Sequence, residues 1–385
     1  MLSFYNIVEF LFIFGFVMTN WLLNYIDGKK LNVSNDNFKY ININKLSEIL
    51  KLKKVETLNL SESNLKTEEI KKLVQNLHDT KVTSIDLSYN NLDEQGVKNL
   101  VQYLQGTNIT TLDLAENNLD PEVAWYLVQN LHLTNVVNLN LSWNYFGVEG
   151  ISIFSQNLHG TSLTILDLSG NTIGAAGSKF LAKNLNRTNI TFLNLSDNNI
   201  RDEGAKHLAE YLKGTNITIL NLSDNNIGDE GFKYLLQNLQ GTKITTLNLS
   251  FNKIGAKGTK LLLQNLKGMN ISTLDLTGNI IGDEGAMNLV QGLQGTNVTK
   301  VYGVESPDLY EVLRKNAENK TNQLIAIGQV LSKYDISTNY SVINKIISFL
   351  HQGLVALPSE DGHGNKATNL VDIIIHHQKT NKSIN

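Results

Sequence analysis

The sequence predicts an α/β solenoid, a stack of repeated strand-helix units with a parallel sheet on one side, a layer of helices on the other and helical caps. Three observations predict it. An apolar column recurs every 27 residues without insertion, at Leu31, Leu58, Ile85, Leu112, Leu139, Leu166, Leu193, Leu220, Leu247, Leu274 and Val301. Each unit opens with the apolar-polar alternation of a short strand, as at Leu220, Asn221, Leu222 and Ser223. Each then passes to helical spacing, as at Gly231, Phe232, Leu235, Leu236 and Leu239, with Lys233 and Gln237 on the opposite side. A lone strand and helix cannot bury these side chains. Units must stack so that neighbours close one core.

Within the reference unit, residues 220–246, Asp229 stands where an N-cap is wanted and Glu230 follows in the first turn, where the helix dipole favours negative charge. Gly241 ends the helix, as a residue able to take positive φ does. Asparagine recurs five places after the first leucine, at Asn90, Asn117, Asn144, Asn171, Asn198, Asn225, Asn252 and Asn279. A side chain that both donates and accepts can satisfy the backbone of the turn leaving each strand, so this column is read as structural.

The pattern LxxLxLxxNxIxxxGxxxLxxxL, with an acidic pair before the glycine, resembles the ribonuclease-inhibitor-like leucine-rich repeat over residues 31–304. That subtype also occurs in Ran GTPase-activating proteins, in NOD-like receptors and in leucine-rich proteins of intracellular bacteria. The resemblance implies a curved scaffold whose members bind unrelated protein partners. It also implies an alternative function, regulation of a small GTPase, for which no single asparagine can be matched to a role.

Taken in order, residues 1–30 contain a strongly apolar stretch, 2–26, centred on Phe10, Phe12, Phe14 and Phe16. Read as a helix it is either a membrane anchor, with Lys29 and Lys30 placing the repeats on the cytoplasmic side, or a cap over the end of the core. A cleaved signal fits less well, for want of a basic start and a small-residue cleavage site. The first unit keeps Leu31, Val33, Phe38, Leu46, Leu50 and Val55 but has no ladder asparagine, and the second has Ser63 there. Regularity breaks most in the unit of Leu112, with Pro121 near the helix start, Val123 replacing glycine and Leu133 replacing the terminal glycine. After Val301, Ser306-Pro307-Asp308 reads as a helix start, and Leu309, Val312 and Leu313 can cover the core's end. Residues 305–385 are therefore a helical cap and small helical region, with further segments at about 322–334, 341–354 and 368–377 and a polar tail.

Composition bounds the function. Lys plus Arg 33 against Asp plus Glu 36 gives a formal charge of −3, so nucleic acid is not expected as a partner. The absence of cysteine excludes a disulfide framework, thiolate zinc sites and a cysteine nucleophile. His363, His376 and His377 are the one histidine cluster and read as solvated, and no catalytic motif stands out from the repeat. No catalytic residue, cofactor, metal or small-molecule substrate is assigned. Sequons at Asn59, Asn140, Asn194 and Asn221 fall in strands, where a glycan would disrupt the sheet.

The expectation is a non-catalytic scaffold, monomeric, binding a protein partner on its concave face. It is either cytoplasmic or membrane-anchored with its repeats on the cytoplasmic side, and secretion from a bacterium stays open. Polar strand positions (Asn59, Asp86, Asp113, Asn140, Asp167, Asn194, Asn221, Asn248, Asp275) line an even, wettable floor. Tyr89, Trp143 and Phe251 share one position on its edge, with Tyr145 two places beyond Trp143 and Phe192 on a strand. These five are the candidate partner-binding residues, because aromatic side chains concentrate binding energy. Packing on neighbouring turns is the competing role. Glu62, Glu116, Asp197 and Asp224 share the edge column and would suit a basic or polar partner. On the helices, Trp125, Tyr126, Ile153, Phe180, Tyr234 and Leu261 are candidate convex contacts. All but Trp125 occupy one lateral position, which favours packing of helix on helix.

Overall fold

The computed structural model describes residues 25–35, 43–262 and 268–333, with side chains placed as far as residue 322. Its strands are β1 (Ile26–Asp27), β2 (Lys30–Asn32), β3 (Thr57–Asn59), β4 (Ser84–Asp86), β5 (Thr111–Asp113), β6 (Asn138–Asn140), β7 (Ile165–Asp167), β8 (Phe192–Asn194), β9 (Ile219–Asn221), β10 (Thr246–Asn248), β11 (Thr273–Asp275) and β12 (Lys300–Tyr302). They form one sheet in chain order. Between them run α1 (Ile43–Leu52), α2 (Thr67–Gln75), α3 (Glu94–Tyr103), α4 (Pro121–Leu131), α5 (Gly147–Gln156), α6 (Gly174–Leu185), α7 (Arg201–Leu212), α8 (Asp229–Asn238), α9 (Ala256–Lys260) and α10 (Gly282–Gly292), with α11 (Pro307–Lys333) after β12.

The 27-residue stride is the sheet register. Leu31 pairs with Leu58, Leu58 with Ile85, Ile85 with Leu112, and so on to Leu274 with Val301, all in parallel strands. Every member from Leu31 to Leu274 is buried, and Val301 at the end of the row is half-buried. Hydrogen-bonded strands sit about 4.8 Å apart while packed helices need roughly 8–10 Å. Wedge-shaped units of this kind bend the array with its sheet inside the curve.

Three side-chain ladders tie unit to unit. Asn225 is typical of the first: its Oδ1 accepts from the Asn198 and Ile200 amides at 3.0 and 3.2 Å, and its Nδ2 donates to the Leu195 and Ser223 carbonyls at 2.8 and 3.0 Å. The seven asparagines from Asn90 to Asn252 are buried, as this role requires. Ser63 takes the place once, donating to the Val33 carbonyl. A second ladder is threonine-rich: Thr191, Thr218, Thr245 and Ser272 each donate a hydroxyl to the carbonyl 27 residues earlier. In the third, Asn108, Asn135, Asn216, Asn270 and Asn297 donate Nδ2 to a carbonyl 28 residues earlier.

The reference helix differs from the sequence reading at its start. Asp229 is the first residue of α8, and its N-cap, Gly228, contributes no side-chain bond. The Asp229 carboxylate reaches forward instead, accepting from the Gly255 and Gly258 amides of the next unit at 2.7 and 2.9 Å. The acceptor at the start of α8 comes from behind: Asp202 takes the Gly228 and Gly231 amides at 2.6 and 3.0 Å. Helix starts of adjacent units lie close enough for a one-turn offset to hand the cap across. Gly241 does take positive φ, +79°.

The two ends are closed differently. Ile26–Asp27 pairs antiparallel with Lys30–Asn32 around Gly28 at φ +58°. A helix spanning residues 1–30 therefore does not reach its expected end, because the chain has already turned into a hairpin. The rest of the apolar stretch, residues 2–24, lies outside the described residues, as does Phe38. Among the described residues no helix is long and apolar enough to cross a membrane. At the other end, Pro307 opens α11, and Leu309 and Val312 are buried with Leu313 packed beside them. The helix does not break near residue 320 but runs unbroken for 27 residues. Asn316 on it donates to the Leu293 and Val298 carbonyls at 2.8 and 2.9 Å and accepts from the Gly295 amide at 3.0 Å, replacing the missing next unit. The segments at 341–354 and 368–377, and His363, His376 and His377, lie outside the described residues.

Candidate protein-interaction surface

One face of the sheet carries the helices and the core, so the first and third residues of each three-residue strand point from the other face. The third column is not a free polar floor. Each member is half-buried and bends back to accept the amide two residues on, as Asp86 does from Ser88 at 2.9 Å and Asn221 from Ser223 at 3.0 Å. Asn140 and Asn194 also donate across the sheet to Asp113 and Asp167, at 2.9 and 2.8 Å. These bonds hold the carboxylates in a fixed row.

The first column is polar through Thr57, Ser84, Thr111 and Asn138, then turns apolar at Ile165, Phe192 and Ile219, and returns to Thr246 and Thr273. Register sets Ile165 beside Phe192 and Phe192 beside Ile219. Both isoleucines are 37% exposed. The even floor is thus interrupted by an apolar triad across β7, β8 and β9, of which sequence reading marked Phe192 alone. Ile165 and Ile219 were missed because they sit one place before the leucine column and read as ordinary strand residues. Their three-unit adjacency is the signal that could have found them.

Along the rim, five residues past each first strand position, the backbone is left-handed. Glu62, Tyr89, Glu116, Trp143, Asp197, Asp224 and Phe251 all lie at φ between 52° and 56°. Such angles are outliers for bulky side chains, and the neighbouring unit compensates for them. Trp143 lies on Gly170 and Phe251 on Gly278, each so near that a Cβ on the glycine would come within 2.7 and 2.6 Å of the ring. Tyr89 donates its hydroxyl to Glu116 at 3.1 Å, and that bond and charge hold the phenol above its usual range. The three rings therefore pack on the adjacent turn while remaining 54%, 52% and 62% exposed for Tyr89, Trp143 and Phe251. Trp143 and Phe251 bracket the units of the apolar triad. Tyr89 lies two units before Trp143, and Tyr145 stands exposed on the ascending loop.

The electrostatics of this face are one-sided. Asp86, Asp113, Asp167 and Asp275 on the floor and Glu62, Glu116, Asp197 and Asp224 on the rim contribute eight carboxylates. The strand and rim columns from β3 to β11 contain no lysine, arginine or histidine. Burial, then the adjacent Asp224 charge, pushes Asp197 above the usual carboxylate range. Burial does the same to Asp113, opposed by the Ala115 amide and Asn140 and reinforced by Asp86 and Asp167.

On the helices, Ile153, Tyr234 and Leu261 are partly buried and pack against the core. Tyr126 is gripped by Trp125, edge to face at 4.9 Å, and by Lys98, whose Nζ is 3.8 Å from the ring centre. Phe180 is 39% exposed and Trp125 51%.

A family model described as Leucine Rich repeat matches residues 78–101, 159–182, 186–209, 215–236, 242–263 and 269–290. No curated protein matches the chain. Solved structures similar to it include leiomodin-1 actin-binding site 2, 20% identical over 34% of this chain and 79% of that one, with a TM-score of 0.32. The yeast Rad7 and Elc1 complex is 14% identical over 80% and 87%, at 0.44, and the TLR13–ssRNA13 complex 19% over 71% and 40%, at 0.43. With its matched segments falling on units that pair strand to strand in 27-residue register, the chain is a leucine-rich repeat protein, an α/β solenoid.

Proposed function

We propose that the protein is a non-catalytic interaction scaffold that binds a protein partner on the concave, strand-lined face of its repeats. The observation that carries this reading is the uncovered sheet. Among the described residues every helix from α1 to α10 follows its strand onto the same side, leaving the strand face of ten successive units, β2 to β11, without a covering element. A surface fixed by backbone register and by side chains locked into turns loses little entropy when a partner docks. Tyr89, Trp143, Phe192 and Phe251 supply aromatic area on that face, of the kind that dominates protein interfaces. The competing role of rim aromatics, packing on adjacent turns, is compatible with binding, since each keeps half or more of its surface exposed.

The test is hydrogen-exchange footprinting of the full chain with a partner captured from its native cell. Slowed exchange is expected in β5 to β10 and their rim turns. Protection confined to the helices would overturn the reading.

A further inference from the structure

We propose that Ile165, Phe192 and Ile219, with Asp197 and Asp224 on the rim beside them, seat a basic, apolar segment of the protein partner. Such a segment sets aliphatic or aromatic side chains next to lysine or arginine. The inference rests on the concave face being the binding face, and adds which part of it is used and by what chemistry.

The triad has no evident role in holding the fold. Thr57, Thr111, Thr246 and Thr273 occupy the same position on β3, β5, β10 and β11 with the same backbone pairing. Three adjacent strands nevertheless carry large apolar side chains there, two of them more than one-third exposed, with nothing over them among the described residues. Apolar groups grouped in this way on an otherwise polar sheet gain free energy when a partner removes them from water.

Charge selects the partner. The chain as a whole is nearly balanced, with 33 basic and 36 acidic residues, yet the fold sorts eight carboxylates and no base onto the strand and rim columns from β3 to β11. None of the eight has a basic side chain within ion-pairing distance among the described residues. Asp197 and Asp224 stand on adjacent turns, five residues past Phe192 and Ile219 respectively, and burial together with the Asp224 charge raises the cost of ionising Asp197. A lysine or arginine placed there relieves that repulsion, whereas an acidic segment, a nucleic acid or an anionic membrane meets it. Trp143 and Phe251 close the two ends of this stretch of rim and suit the aliphatic stems of such side chains.

The test uses the full chain and a set of synthetic peptides with two fixed apolar residues and flanks of lysine, glutamate or serine, followed by fluorescence anisotropy. Lysine-flanked peptides should bind about tenfold tighter than glutamate-flanked ones at about 50 mM salt, with the gap narrowing at about 300 mM. The triple substitution Ile165→Thr, Phe192→Thr, Ile219→Thr, which installs the residue other units already carry, should weaken that binding about tenfold with an unchanged circular dichroism spectrum. The pair Asp197→Asn, Asp224→Asn should erase the preference for lysine while leaving the apolar contribution. Equal binding by the triple variant, a preference for glutamate flanks, or no binding by any peptide overturns the proposal. Cross-linking separates the two levels. Peptides attached to other concave strands sink this inference alone, and attachment only to the helices sinks the concave reading as well.

Discussion

The starts of α3 and α4 and those of α8 and α9 are satisfied by opposite routes. In α3 and α4, Asp93 and Asp120 cap their own helices, taking the Gly96 amide at 2.6 Å and the Glu122 and Val123 amides at 3.0 and 3.2 Å. In α8 and α9 the acceptor belongs to the preceding unit, Asp202 or Asp229. The glycines follow the same division. A Cβ on Gly96 would meet only the Asp93 carboxylate, at 3.0 Å, whereas one on Gly231 would lie 2.6 Å from the Asp202 carboxylate and 2.9 Å from its Cα. An identical repeat length thus hides two kinds of junction: one closes a unit on itself, and the other makes a unit depend on its neighbour.

The largest expected effect comes from the late glycine. Gly231→Ala should destabilise the protein by about 3 kcal/mol, because the preceding helix's backbone must move. Gly96→Ala should be near neutral, the helix-propensity gain of about 1 kcal/mol offsetting a side-chain adjustment. Urea unfolding of both variants measures the gap, and equal losses would erase the distinction. Next, Asp202→Ala should cost about 2 kcal/mol and Asp93→Ala about 1 kcal/mol. Amide exchange should then rise in α8, one unit beyond the mutated residue, for the first and in α3 itself for the second. A smaller, purely local effect is expected at exposed Thr172, a β-branched residue at φ +53° in a column whose other left-handed members are Asn64, Asn91, Asn118, Asn199 and Asn226. Thr172→Asn should raise stability by about 0.5 kcal/mol in the same assay.

The smallest effect is on pH dependence. Asp113 is held above the usual carboxylate range, so its ionisation opposes folding. The contribution from its protonated form is fully present below the unfolded carboxylate pKa and is lost as pH rises through the higher folded value. Relative to Asp113→Asn, the native chain should therefore gain thermal stability as pH is lowered from 7 towards 4. A constant difference in melting temperature across that range would contradict the assignment.

The reading of particular residues shows where sequence sufficed. Leu58, Ile85 and Leu112 could be placed side by side from spacing alone, because a parallel sheet with one-residue pairing leaves no other register for a shared apolar seam. The ladder asparagines were legible for a similar reason: a carboxamide repeated at a strand exit has one economical use. Asp229 was misassigned because its identity says that it caps a helix start, while the offset between units decides which one. The threonine ladder passed unnoticed, since Thr191 and Thr218 look like ordinary strand-flanking residues until the sheet is assembled. Asn316 was missed because its function exists only where a unit is absent. In the site, residue type flagged Trp143, Phe192 and Phe251, but type could not show that Trp143 and Phe251 lie over Gly170 and Gly278.

By itself the sequence determined the repeat, its strand-helix order, the register and the buried seam, all of which follow from a period and from the need to remove leucine from water. Only the tertiary structure decided which helix each carboxylate caps and that Ile165 and Ile219 join Phe192 in one exposed patch. These are properties of neighbours across units. A period fixes distances along the chain, but the offset and curvature that set which side chains meet arise when strands and helices of unequal width are packed together.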